Sequence, residues 1–211
     1  MEEQNIFDSD GTMHQDGYEI PLAERMRPRS LDEYIGQGHL LDDGKPLKNM
    51  LKGGKVPSCI LYGPPGVGKT TMVGLMAKTT GRELLGINAV SAKVETLRAL
   101  VDRAKELKRF SGRSAIAFVD EIYHFNSKQQ NVLLPSVENG DIILIGTTTE
   151  NPWFEINKTL LSRMIVYTLK PLDNNDLVTL MERALADRKR GLGVLEVSVP
   201  KDVLEKIASL A

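Results

Sequence analysis

Three separate stretches of this sequence carry residues suited to handling a phosphate ester. The first is Gly63-Pro64-Pro65-Gly66-Val67-Gly68-Lys69-Thr70, continued by Thr71, between a short apolar run and a helical pattern. Glycines at 63, 66 and 68 allow a tight turn with converging backbone N–H groups, and the following helix offers the positive end of its dipole to an anion. Lys69 would neutralise β- and γ-phosphates, and the Thr70 hydroxyl would bind Mg²⁺. The plainer alternative is a glycine-rich turn that happens to carry a lysine. The G-x-x-x-x-G-K-T spacing, in a strand–turn–helix setting, favours the phosphate loop.

The second stretch, Ser114-Ala-Ile-Ala-Phe-Val-Asp120-Glu121, is an apolar run that ends in two carboxylates. Continuous apolar runs are characteristic of parallel strands buried on both faces. Asp120 suits the water shell of a magnesium ion, and Glu121 suits a base that polarises the water attacking a γ-phosphate. His124 follows closely, but H-E-x-x-H is absent and no second His or Cys is near, so the pattern does not favour zinc. In the third stretch, Asp141–Gly146 forms another apolar run and leads into Thr147-Thr148-Thr149. These hydroxyls either orient the attacking water and sense the γ-phosphate or simply cap the turn before Asn151-Pro152.

The elements that must position these groups alternate. Strands are predicted at Ser58–Tyr62, 83–90, Ser114–Asp120, Asp141–Gly146 and Ile165–Leu169. Helices are predicted at 46–52, from Lys69 to about Thr80 with Met72, Leu75 and Met76 in the core, at Lys93–Phe110, at Ser127–Asn139 and at Lys158–Arg163. This alternation predicts an α/β fold with a parallel sheet and the ligand at the strands' carboxyl ends. From Asp173 the pattern is helical to about Arg190, breaks at Gly191–Gly193, runs extended over Val194–Val199 and ends in a helix after Pro200. The expected division is a mobile tail at 1–17, a nucleotide-binding core at 18–172 and a small helical subdomain at 173–211. In the first part of that core, Ser30 is predicted to cap a short helix with Glu33 closing the box.

Composition narrows the function classes. The 211 residues are 41% hydrophobic and 26% charged with a net charge of −1, so any contact with nucleic acid must come from a local patch. One candidate is the side of the Lys93–Phe110 helix that carries Arg98, Arg103, Lys105, Lys108 and Arg109, which is either a solvated face or a phosphate-contacting one. The single Cys59 excludes a disulfide framework and reads as a small buried hydrophobe. With neither a long apolar span nor a signal-peptide pattern, a cytoplasmic protein without membrane contact is expected. Gln4-Asn5-Ile6-Phe7 faintly resembles the peptides that dock on sliding clamps.

GPPGVGKT at 63–70, FVDE at 118–121, GTTTENP at 146–152 and LLSRM at 160–164 together resemble the AAA+ ATPases of the clamp-loader group. PLAERMRP at 21–28, IGQGHLL at 35–41, FNSKQQ at 125–130 and TTENPWFEIN at 148–157 resemble, more narrowly, the replication-associated recombination protein A family, also called MgsA. The resemblance runs from about Pro21 to Leu172. It implies a five-stranded parallel sheet flanked by helices, followed by the start of a helical lid. It also implies ATP with Mg²⁺ as ligands, Lys69 and Thr70 as Walker A contacts, Asp120 as Walker B magnesium ligand and Glu121 as catalytic base. By the same resemblance Thr148 is the first sensor, assisted by Asn151, and Arg163 is a finger that reaches a neighbouring subunit's site. Arg27, Pro28, Ile35 and Gly36 fall where the group encloses adenine. Asn157-Lys158-Thr159-Leu160 lacks the Asp of a guanine-reading motif, in keeping with ATP.

The partners implied are further copies of the chain, DNA with single-stranded/double-stranded junctions and a single-stranded-DNA-binding protein, with a nucleoid association in a bacterium. The implied activity is DNA-dependent ATP hydrolysis in replication-fork maintenance. Its rivals are a clamp-loader subunit, a Holliday-junction branch-migration motor, or a nucleotide-gated scaffold without turnover. Two departures qualify the likeness. Ile122-Tyr123-His124-Phe125 stands where the family reads [VI]-H-R-F, and the sequence stops at Ala211, ahead of the family's second-sensor arginine and assembly domain. A fragment with poor hydrolysis of its own is therefore expected.

Overall fold

The computed structural model describes residues 20–210. The tail at 1–17 and the Gln4–Phe7 peptide lie outside the described residues. In chain order the elements are α1 (Leu22–Arg25), α2 (Gly38–Leu41), α3 (Pro46–Lys52), β1 (Cys59–Tyr62), α4 (Lys69–Thr80), β2 (Leu84–Asn88), α5 (Val94–Ser111) and β3 (Ala115–Asp120). They continue with α6 (Ser127–Glu138), β4 (Ile142–Thr148), α7 (Pro152–Glu155), α8 (Lys158–Leu161), β5 (Ile165–Thr168), α9 (Asn174–Ala186) and α10 (Lys201–Ala208).

The residues form two units, 38–171 and the combination of 20–37 with 172–210. In the first, all five strands are parallel in the order β2-β3-β4-β1-β5, as the alternating pattern predicts. After β1 the chain crosses to the far edge at β2, whereas β5 lies on β1's other side. β1 is thus where the winding reverses, and the carboxyl ends around such a reversal form the ligand crevice of open α/β sheets. Ala115–Val119 and Cys59–Leu61 are wholly or almost wholly buried. Their length and apolar content leave no solvent face, which is why these runs do not alternate. Burial also pushes the Cys59 thiol up to about 12.

The helices of this unit end where the sequence provides breakers. Gly81 and Gly112 adopt left-handed backbone beyond α4 and α5, and Asn126 with Gln129 forms a reciprocal capping box at the start of α6. α5 turns Leu97, Leu100, Val101 and Ala104 inward, and Arg98 and Arg109 are exposed. Lys108 on this helix is tied to Asp141 at 3.0 Å and to the Gly140 carbonyl at 2.9 Å. Part of the basic set therefore pins the helix to the start of β4.

In the second unit, Val178 of α9 packs with Leu204 and Ala208 of α10. The 20–37 segment joins this unit through Glu33. Arg190 donates to its carboxylate at 3.0 Å and Arg183 donates to its carbonyl at 2.5 Å. Ser30 does cap Glu33, but the turn it starts is a short 3-10 one, Leu31–Glu33. α9 stops at Ala186 rather than near Arg190, because the Asp187 carboxylate accepts the backbone N–H groups of Lys189 and Arg190 and turns the chain. These bonds, led by that from Arg190, lower the Asp187 pKa to about 2 against some opposing desolvation. The 194–199 piece is not extended throughout, since Gly193–Leu195 forms a 3-10 turn. Among the described residues no helix is long and apolar enough to cross a membrane.

Candidate nucleotide site

The loop between β1 and α4 is shaped by its glycines. Gly66 has φ +78°, which a side chain rarely tolerates, and a Cβ on Gly63 would lie 2.5 Å from the Leu169 carbonyl oxygen at the end of β5. Gly68, with φ +87°, precedes α4 and has no side chain with which to cap it. Lys69 folds back on the loop it follows, donating to the carbonyls of Gly63 at 2.7 Å and Pro64 at 2.9 Å. Burial lowers its pKa, and the nearby carboxylates of Glu121 and Asp120 act in the opposite direction. Lys69, Asp120 and Glu121, distant in sequence, therefore share one electrostatic environment. The loop is anchored to β4 as well, since the Gly63 N–H donates to the Thr148 carbonyl at 3.2 Å.

At the end of β3 the chain turns sharply. Glu121 has φ +52°, an uncommon conformation for a residue with a Cβ, and its carbonyl accepts the His124 N–H at 3.0 Å. Its carboxylate accepts the Thr149 N–H at 3.3 Å. Thr147, fully buried on β4, donates its hydroxyl proton to Asp120 Oδ1 at 2.6 Å and accepts the Glu121 N–H at 3.1 Å. Three successive threonines read alike in the sequence and the resemblance singles out Thr148, so nothing there marks the separate part of Thr147. The Thr148 hydroxyl is used within its own turn, donating to the Glu150 carbonyl at 3.0 Å and accepting its N–H at 2.9 Å.

Asn151 caps α7 by accepting the Trp153 N–H at 3.0 Å. Arg163, just past α8, pairs with Glu138 of α6 at 2.6 Å and donates to the Thr159 carbonyl at 2.6 Å. Neither partner belongs to the Lys69 cluster. Gln130 links the FNSKQQ and TTENPWFEIN stretches. It is buried, donates to the carbonyls of Phe125 at 3.0 Å and Glu155 at 3.2 Å, and accepts the Asn157 N–H at 2.7 Å. Arg27, Pro28, Ile35 and Gly36 fall in the unit formed by 20–37 and 172–210. There Gly36 has φ +77°, a backbone conformation that side chains rarely tolerate, which is why a glycine stands at that turn.

An uncapped helix start behind a glycine loop, with a lysine and two strand-end carboxylates in one field, fits a magnesium nucleotide. The loop can cradle phosphates, Lys69 supplies positive charge, and Asp120 and Thr70 carry the oxygens that Mg²⁺ prefers.

Comparison with known proteins gives the family. The family described as ATPase family associated with various cellular activities (AAA) matches residues 59–172, more than half of the chain. Replication-associated recombination protein A of Coxiella burnetii is 47% identical over 192 residues, which is 91% of this chain and 43% of that protein. The Escherichia coli K12 protein of the same name is 45% identical over 90% of this chain and 42% of its own length. The ATPase WRNIP1 of Dictyostelium discoideum is 44% identical over 78% of this chain and 19% of its own. The chain thus spans less than half the length of these relatives. Among solved structures, the Thermotoga maritima RuvB Holliday junction branch migration motor superposes with a TM-score of 0.69 at 26% identity, covering 87% of this chain and 59% of that one. This chain belongs to the AAA family of ATPases, and within it is similar over about nine-tenths of its length to replication-associated recombination protein A.

Proposed function

We propose that this chain binds ATP with Mg²⁺ and hydrolyses it, at sites shared between copies of the chain, to act on DNA during replication-fork maintenance. The observation that carries the reading is the common environment of Lys69, Asp120 and Glu121 beside an uncapped, glycine-shaped helix start. The 63–71 loop holds the phosphates, with Lys69 opposing their charge. Asp120 and Thr70 would hold Mg²⁺, which would offset the negative charge of the β- and γ-phosphates. Glu121 orients and deprotonates the attacking water, and Thr148, in its first-sensor position, faces the γ-phosphate. Arg27, Pro28, Ile35 and Gly36 are assigned to adenine by resemblance.

Arg163 serves a neighbouring copy, where a cation stabilises charge growing on the phosphoryl oxygens. The DNA assignment is supported by the names of the relatives and by the exposed Arg98 and Arg109 of α5. Single-stranded/double-stranded junctions and a single-stranded-DNA-binding protein are the proposed partners, in the cytoplasm. The likeness to RuvB favours a second reading, a motor acting on four-way junctions.

Single-turnover ATP hydrolysis, measured with and without primed single-stranded DNA, tests the proposal. Stimulation by the primed template is expected, whereas stimulation by a four-way junction alone would support the second reading. The absence of any DNA effect would sink both. Lys69→Ala should weaken nucleotide binding by about 10–100-fold through lost charge-assisted bonds. Glu121→Gln should bind normally and hydrolyse about 10²–10⁴-fold more slowly, so retained turnover would remove Glu121 as base.

A further inference from the structure

We propose that Thr147 is the positioning residue of the site, with one hydroxyl setting both the Asp120 carboxylate and the turn at Glu121. The inference rests on the nucleotide-site reading and deepens it. A threonine hydroxyl has one proton to donate and lone pairs to accept with. At Thr147 the proton goes to Asp120 Oδ1 at 2.6 Å, a length typical of a charge-assisted bond, and a lone pair takes the Glu121 N–H at 3.1 Å. Thr147 has no solvent exposure, so bulk water does not compete for either bond. Its Cβ branch, on a strand, leaves the side chain little rotational freedom.

The two bonds act on different parts of the chemistry. The bond to Asp120 fixes which carboxylate oxygen is occupied by protein and how the carboxylate plane lies toward a cation. The bond to Glu121 holds a backbone N–H in the left-handed turn, φ +52° and ψ +52°, that aims the adjoining carboxylate. Thr149 completes the grip through its N–H to Glu121 Oε2. Thr148 cannot substitute for its neighbour, because successive strand residues face opposite sides and its hydroxyl is engaged with Glu150.

The test uses this chain, a fluorescent non-hydrolysable ATP analogue and a Mg²⁺ titration of analogue binding. Thr147→Val removes the hydroxyl while nearly keeping the volume, and Thr147→Ser keeps the hydroxyl. Thr147→Val should require about ten-fold more Mg²⁺ for half-maximal tightening, the lower end of the effect of losing a partner behind a metal ligand. Thr147→Ser should follow the parent, and all three should bind the analogue equally without Mg²⁺. Single-turnover hydrolysis should fall by a similar factor in the valine variant and recover in the serine variant. Should the valine variant not fold, Thr147→Ala carries the same comparison.

An unshifted Mg²⁺ curve for the hydroxyl-free variant overturns the proposal. So does a serine variant as impaired as the valine one, since packing would then explain both. Asp120→Asn, run in parallel, separates the two levels. If it leaves the Mg²⁺ response unchanged, the nucleotide-site reading itself fails. If it shifts the response and loss of the Thr147 hydroxyl does not, only the positioning role fails.

Discussion

At the carboxyl ends of β1, β3 and β4, the side chains with chemical potential are buried or half-buried and hydrogen-bonded to the loop or to an adjoining strand end, whereas Arg163 beyond α8 is half-exposed and bonded mainly to its own turn. Lys69 is 8% exposed and Thr147 is fully buried. The side chains of Arg163 and its partner Glu138 are 37% and 39% exposed. Strand ends in a parallel sheet are held on both sides by ladder hydrogen bonds, so groups placed there keep their spacing. A group just past a four-residue helix keeps only what its neighbours lend it. A half-exposed ion pair contributes about 0–1 kcal/mol, so Arg163 is held lightly. That difference is the one on which the proposed division rests, a site assembled within one chain and a cation offered to another.

The largest expected effect lies on the lightly held side. Arg163→Ala should leave ATP affinity unchanged and lower turnover of the assembled protein by about 10³–10⁵-fold. Mixing it with Lys69→Ala, which keeps its arginine, should restore part of the rate; no recovery at any ratio would place the arginine in its own subunit's chemistry or outside chemistry altogether. A smaller effect probes the rigid side. Gly63→Ala would force a Cβ against the Leu169 carbonyl oxygen, so urea unfolding should show a loss of about 1–3 kcal/mol, as for other overpacked sites. An unchanged midpoint would mean that the loop is not clamped to β5. The smallest effect is that of Glu138→Gln, expected to change stability by less than about 1 kcal/mol. A loss as large as that of Gly63→Ala would erase the contrast between the two regions.

Much of this was legible in the sequence because the signals are local. Glycine breakers, apolar runs and the G-x-x-x-x-G-K-T spacing located all five strands and the longer helices to within a few residues. The bond between Thr147 and Asp120 was not legible, since it depends on strand register. Val119 of β3 pairs with Gly146 of β4, which sets Asp120 beside Thr147 rather than Thr148. A sequence with three successive threonines does not reveal which one meets the acid. The grouping of 20–37 with 172–210 is also non-local, resting on bonds such as Arg190 to Glu33. The early end of α9 was readable in principle, because Asp187 followed by Gly191 is a turn signal, but the helical period around it dominated.

The single cysteine of β1 has a practical consequence. Cys59 lies between Ile145 of β4 and Ile165 of β5, fully buried and with its thiol held in the protonated form. A thiol reagent needs an accessible thiolate, so at neutral pH it reacts only with molecules in which these strands have parted. Uptake of reagent by this one sulfur is a clock for opening of the sheet's middle, silent while the strands stay closed.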